Sequence, residues 1–133
     1  MSNAVSTGTI LVADDDPDIL ELVKLRLELS GHPTLGARDG AEALELIQLH
    51  LPALCILDVQ MPRLSGFDVL HRMRADDETR GIPVILLTAS VQDQDVIMGL
   101  ESGADDYLRK PFTPLDLQTR VAALINGRSG VAR

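Results

Sequence analysis

The fold class this sequence predicts is α/β, a doubly wound parallel sheet of five strands with five flanking helices. Three observations predict it. Short apolar runs at 9–13, 53–57 and 83–87 lack polar alternation, as parallel strands covered on both faces do. Segments of helical period separate the strands, and such alternation demands a parallel sheet with right-handed crossovers. Four strand ends carry conspicuous polar residues: Asp14 with Asp15, Asp58, Thr88 and Lys110. In such a sheet all four lie on the carboxyl edge, where open α/β sheets bind ligands.

Composition sets the bounds. The 133 residues are one domain's worth, and 45% hydrophobic residues fill a core. Aromatics are 2%, so that core is Leu, Ile, Val and Ala. A net charge of −8 argues against direct nucleic-acid binding by this domain. The single cysteine, Cys55, reads as a buried reduced thiol; it excludes an intramolecular disulfide framework and fits a reducing cytosol. No apolar run is long enough to span a bilayer, and the N-terminus lacks the blocks of a signal peptide. A cytoplasmic location is therefore expected.

Residues 1–8 are small and polar and are expected to form a disordered lead. Strand one, 9–13, runs into Asp14-Asp15-Asp16-Pro17. Asp16 is a good N-cap and Pro17 suits the first helical position. The first helix shows Ile19, Leu22, Val23 and Leu27 on one face, and Gly31 stops it. Strand two, 33–37, is the least apolar and is placed at the sheet edge. Asp39-Gly40 opens a second helix, with Ala41, Leu44 and Ile47 on one face. Strand three ends on Asp58, and a loop over 60–65 leads to a third helix at 66–75 with Leu70 and Met73 inward. Strand four, 83–87, ends at Thr88-Ala89-Ser90. A fourth helix is expected at 92–102, then strand five at 106–108, ending in Arg109-Lys110-Pro111. Thr113-Pro114 reads as a capped start for a fifth helix carrying Leu117, Val121 and Leu124 inward. Residues 127–133 read as a flexible tail or linker, leaving one domain over 9–126.

The strand ends carry the chemistry. Three close carboxylates repel one another, and one takes up a proton unless a cation sits among them. All-oxygen donors with room for water suit Mg²⁺ or Mn²⁺. A cation, a hydroxyl donor and an ammonium around a nucleophilic carboxylate make a phosphoryl-transfer site. Each piece alone has a plainer reading: a solvated helix start, a turn threonine, a surface lysine. Their joint placement is what is specific.

The chain resembles the receiver domain of a two-component response regulator. The resemblance rests on Ile10-Leu11-Val12-Ala13-Asp14-Asp15-Asp16-Pro17, on Leu57-Asp58-Val59-Gln60-Met61-Pro62 with Ser65-Gly66, on Leu87-Thr88-Ala89, and on Gly103-Ala104-Asp105-Asp106-Tyr107-Leu108-Arg109-Lys110-Pro111-Phe112. It implies a flavodoxin-like strand order, 2-1-3-4-5. It makes Asp58 the phosphoacceptor for a histidine kinase or phosphotransfer protein, in a domain that is no enzyme beyond slow self-catalysed phosphorylation and dephosphorylation. Asp15 and Asp58 match direct Mg²⁺ ligands, Asp14 a ligand acting largely through water, and the Gln60 backbone carbonyl a further one; Mn²⁺ would substitute. Thr88 and Lys110 match residues that contact the phosphoryl group. Thr88 and Tyr107 match the switch pair. The Lys110–Pro111 bond is cis in relatives, and Gln60 and Ser90 flank the phosphate entry route.

The implied output surface is the fourth helix, fifth strand and fifth helix, which serves an output domain, a downstream protein or a homodimer. Asp105, Asp106, Asp116 and Arg120 fit the charge pattern of that dimer face. Val96 and Met98 stand where such relatives carry arginines, and Ala122 where they carry a lysine, so a salt-bridged dimer face is expected to be incomplete and more apolar. Three rivals are weighed. A haloacid-dehalogenase-type enzyme wants a second acid where Gln60 stands. A flavodoxin-like mononucleotide binder would not place three acids after its first strand. A pseudo-receiver that docks without phosphorylation is the alternative. His32, His50 and His71 read as surface histidines.

Overall fold

The structure, a computed structural model, describes residues 8–89 and 103–131, with side chains described through residue 126. Strands β1 (Ile10–Ala13), β2 (Thr34–Ala37), β3 (Leu54–Asp58), β4 (Val84–Thr88) and β5 (Asp106–Arg109) form one sheet in the order β2-β1-β3-β4-β5. Every pairing is parallel. β2 is an edge strand, as its composition predicts. Helices α1 (Pro17–Leu29), α2 (Gly40–His50), α3 (Gly66–Ala75) and α4 (Pro114–Val131) connect and follow the strands. The helix expected at 92–102, with Val96 and Met98 on it, lies outside the described residues, as do Ser90 and the first seven residues of the expected lead.

The central strands bury every residue, and their period of two divides the core into two layers. Leu11, Ala13, Cys55, Leu57, Val84 and Leu86 face α2 and α3. Ile10, Val12, Leu54, Ile56, Ile85 and Leu87 face α1 and α4. This is why the runs read as unbroken apolar stretches. Cys55 is a free, buried thiol, and burial pushes its pKa up, so it is protonated and inert.

Side chains mark where the helices begin. Asp16 Oδ1 accepts from Asp18 N at 2.9 Å, and Asp39 Oδ1 from Glu42 N at 2.8 Å. Ser65 and Asp68 exchange bonds in a full capping box, 3.1 and 3.0 Å. Thr113 Oγ1 accepts from Asp116 N at 3.0 Å. The bond between Lys110 and Pro111 is cis.

Three details differ from expectation. The core face of α1 is Leu20, Val23 and Leu27, while Leu22 is 45% exposed. Apolar residues surround this helix, so its pattern fits two faces equally well. On α2, Ala43 rather than Ala41 is buried with Ile47. The last helix continues to Val131, so the tail expected from 127 is helical at its start. Extending an established helix costs little per residue, and Gly127 and Gly130 weaken it without ending it.

At the amino edge of the sheet, one guanidinium joins several segments. Arg74, near the end of α3, donates to the carbonyls of Arg80 (3.0 Å), Ile82 (2.8 Å) and Gly103 (2.8 and 3.1 Å). It also pairs with Asp105 at 3.1 Å, whose Oδ2 accepts from Val84 N at 2.8 Å. The starts of β4 and β5 are thereby tied to α3.

Candidate functional site

The carboxyl ends of β1, β3, β4 and β5 bring the site together. β1 ends at Ala13, so Asp14 is the first residue past it; it is fully buried, and its Oδ1 accepts from Asp16 N at 2.9 Å. Asp58 closes β3 and is 6% exposed. Carboxylate oxygens of Asp14, Asp15 and Asp58 lie within 4.8 Å of one another. Asp15 is the exposed member, at the mouth of the cluster.

Lys110 reaches in from the far side. Its Nζ lies 2.8 Å from Asp14 Oδ2 and 3.2 Å from Asp58 Oδ2. The approach to Asp58 is a hydrogen bond, but Asp14 Oδ2 is buried and has only the ion pair, without hydrogen-bond geometry. One ammonium therefore pairs with two of the three carboxylates, Asp14 and Asp58. The imbalance appears in the titration of Asp58: burial first, and Asp14 second, push its pKa up to about 6 against the pull of Lys110. Burial pulls Lys110 down, but Asp14 and Asp58 more than offset this and hold it above the ordinary lysine value.

Thr88 ends β4, buried at 3% exposure, and its carbonyl accepts from Lys110 N at 2.7 Å. Its neighbour in register is Arg109, as Leu87 is the neighbour of Asp58. Gln60 N points back to Asp58 Oδ1 at 3.4 Å. Tyr107 lies one strand over, half-buried against the α2/α3 layer, with a buried hydroxyl that has no hydrogen-bond partner among the described residues. Gly66 permits α3 to begin directly on the Asp58 backbone: a Cβ there would sit 2.4 Å from the Asp58 carbonyl oxygen.

The donor set fits a small hard cation. It is all oxygen, one carboxylate oxygen is buried without a hydrogen bond, and the negative charge exceeds the positive. Protein-family models and known structures say what such an arrangement belongs to. The model of the response regulator receiver domain matches residues 10–122.

The chain belongs to the response regulator receiver domain family.

This receiver domain is similar to the DNA-binding dual master transcriptional regulator RpaA of Synechocystis sp., 46% identical over 116 residues that cover 87% of this chain and 48% of the relative. The chain spans about half the length of the curated relatives it matches. Among solved structures it is similar to the receiver domain of a Francisella response regulator, 38% identical, covering 92% of this chain and 99% of that one at a TM-score of 0.86. It is also similar to the receiver domain of a Pseudomonas aeruginosa sensor histidine kinase, 28% identical, covering 90% and 98% at a TM-score of 0.83; that structure has a magnesium ion coordinated in its active site cleft.

The charges expected on a dimer face are engaged within the receiver domain. Asp105 is held by Arg74, and Arg120 bridges Asp106 at 2.6 Å and Asp116 at 2.9 Å. Ala122 is exposed. Two residues near or behind the site, Arg63 and Arg74, went unremarked in the sequence, and Gly40 was read only as the start of a helix. Each acts through a contact with a distant segment, so no local pattern marks it.

Proposed function

We propose that this receiver domain accepts a phosphoryl group on Asp58, in a reaction assisted by Mg²⁺, from a histidine kinase or phosphotransfer protein. The observation that carries this reading is Asp58 at the end of β3, with Lys110 Nζ at 3.2 Å and two further carboxylates within reach of one cation. Asp14, Asp15, Asp58 and the Gln60 carbonyl would hold that cation, which when bound offsets charge on the transferring oxygens.

A carboxylate oxygen of Asp58 attacks phosphorus. The P–N bond of a phosphohistidine donor breaks, and its imidazole nitrogen leaves with the bonding pair and takes a proton. Lys110 moves from its carboxylate neighbours to the phosphoryl oxygens. The Thr88 hydroxyl donates to another oxygen, and Tyr107, its partner in the switch pair, responds to that move. A near-complete switch needs about 5.5 kcal/mol of differential stabilisation. One charge-assisted hydrogen bond is worth roughly 1.5–3 kcal/mol, so Thr88 acts together with Lys110 and backbone N–H groups.

The same reading makes residues 9–126 the receiver unit, preceded by a lead over 1–8 and followed by a connector over 127–133 that begins as a continuation of α4. β5, α4 and the segment 92–102 form its output surface toward an output domain, a downstream protein or a second copy. A two-component phosphorelay in the cytoplasm is the setting this reading requires. No helix among the described residues is long and apolar enough to cross a membrane. Turnover by the domain itself is limited to slow self-phosphorylation and dephosphorylation.

Intact mass after incubation with Mg²⁺ and a small phosphodonor tests the proposal. Wild type is expected to gain one phosphoryl adduct that requires Mg²⁺, and Asp58→Asn none. A wild-type protein that gains no adduct would instead be a docking module that works without phosphorylation.

A further inference from the structure

We propose that the first turn of α2 is a positioning element for the site, with Gly40 and Arg63 holding the loop that carries Gln60 and so setting its affinity for a divalent cation. The inference rests on the cation-assisted site proposed above.

The loop between Asp58 and Gly66 is tight. Val59 O accepts from Gly66 N at 2.9 Å, and Gln60 N reaches Asp58 Oδ1 at 3.4 Å. At its tip Leu64 N donates to Pro62 O at 2.8 Å across Arg63, whose φ is 74°. A three-residue turn with positive φ at a non-glycine residue is strained and persists only where its surroundings hold it.

The surroundings here are α2. Gly40 N donates to Pro62 O at 3.3 Å, and the Arg63 guanidinium lies 3.7 Å from Asp39, the N-cap of α2. A Cβ at Gly40 would lie 2.0 Å from the Leu64 carbonyl oxygen and 2.6 Å from its carbon. Those are backbone atoms, so no rotamer change relieves the clash. The requirement at Gly40 is for space. Any side chain there pushes residues 62–64 away from α2, and the Gln60 carbonyl moves with them. Gly36 is the natural control: a Cβ there meets the flexible Lys24 stem, at 3.2 Å.

Calorimetric titration with Mg²⁺ of wild type, Gly40→Ala and Gly36→Ala tests this, with folding checked by circular dichroism. Gly40→Ala is expected to bind Mg²⁺ about tenfold more weakly or worse, and Gly36→Ala as wild type. Adduct formation on Gly40→Ala should recover at saturating Mg²⁺, which a general loss of structure would not allow. A folded Gly40→Ala that binds Mg²⁺ as wild type does overturns the inference. If Gly40→Ala does not fold, Arg63→Gly decides: it suits the positive φ and removes the tether to Asp39. Mg²⁺ binding weakened roughly threefold or more, with stability kept, supports the inference; unchanged binding overturns it. Wild type that binds no Mg²⁺ sinks the proposed site itself, whereas wild-type binding with indifferent variants sinks this inference alone.

Discussion

Asp58 is where the physics of a single residue is most exposed. Burial, then Asp14, raise its pKa to about 6 against the opposing pull of Lys110, whereas an unfolded chain titrates it near ~3.9. The folded state therefore binds this proton the more tightly. Its contribution to stability is fully present below pH ~4 and is lost as the pH rises through about 6. Replacing the charge by Asp58→Asn is expected to stabilise the metal-free protein at neutral pH by about 1–2 kcal/mol, a figure reduced for screening at the solvent-facing side. The gain should vanish near pH 4. Urea denaturation in chelator at the two pH values measures it, and a variant no more stable than wild type at neutral pH would mean that Lys110 already neutralises the cluster. Asp14 and Asp58 were legible in the sequence because each ends an apolar run, and Lys110 because it follows the last short strand. Their imbalance was not, because it depends on the distances among three strand ends.

At the scale of elements, strands were the easiest to read and helix faces the hardest. A strand buried on both sides announces itself by losing its polar positions, as residues 54–57 and 84–87 do. Helix α1 is ambiguous because Leu22, Leu25 and Leu29 form a second apolar stripe on the outside, at 45, 52 and 71% exposure. Periodicity finds both stripes and cannot tell which one meets the sheet. The structure turns Leu20 inward instead. Leu20→Ala is expected to cost about 2–4 kcal/mol, and Leu22→Ala under about 0.5. Chemical denaturation of the pair separates the two faces, and equal losses would show that the two positions are packed alike. Capping was legible residue by residue at Asp16 and Thr113, since an N-cap acts on its own first turn. The hold of α2 on the loop at 60–65 was invisible for the opposite reason: Gly40 and Leu64 are distant in the chain.

The whole molecule separates chemistry from anchorage. The parallel sheet and the burial of its central strands followed from composition and alternation, and the full strand order from the family resemblance, whereas the fixing of the amino edge by Arg74 did not, because an arginine late in a helix looks like any solvated cation. Arg74→Ala removes donors from three carbonyls and the partner of Asp105. It is expected to cost about 2–4 kcal/mol of stability while leaving Mg²⁺ affinity unchanged, since distant sites add independently. Denaturation and Mg²⁺ titration of the same variant check both halves, and a joint loss would show that the edges are coupled. In mechanical terms the sheet is a fan riveted at its handle. The rivet is a cation with more than enough acceptors around it, and the open rim is a set of acids with too few cations. Charge arriving at the rim is met where the structure is electrically incomplete, and the handle keeps the ribs in order while it comes and goes.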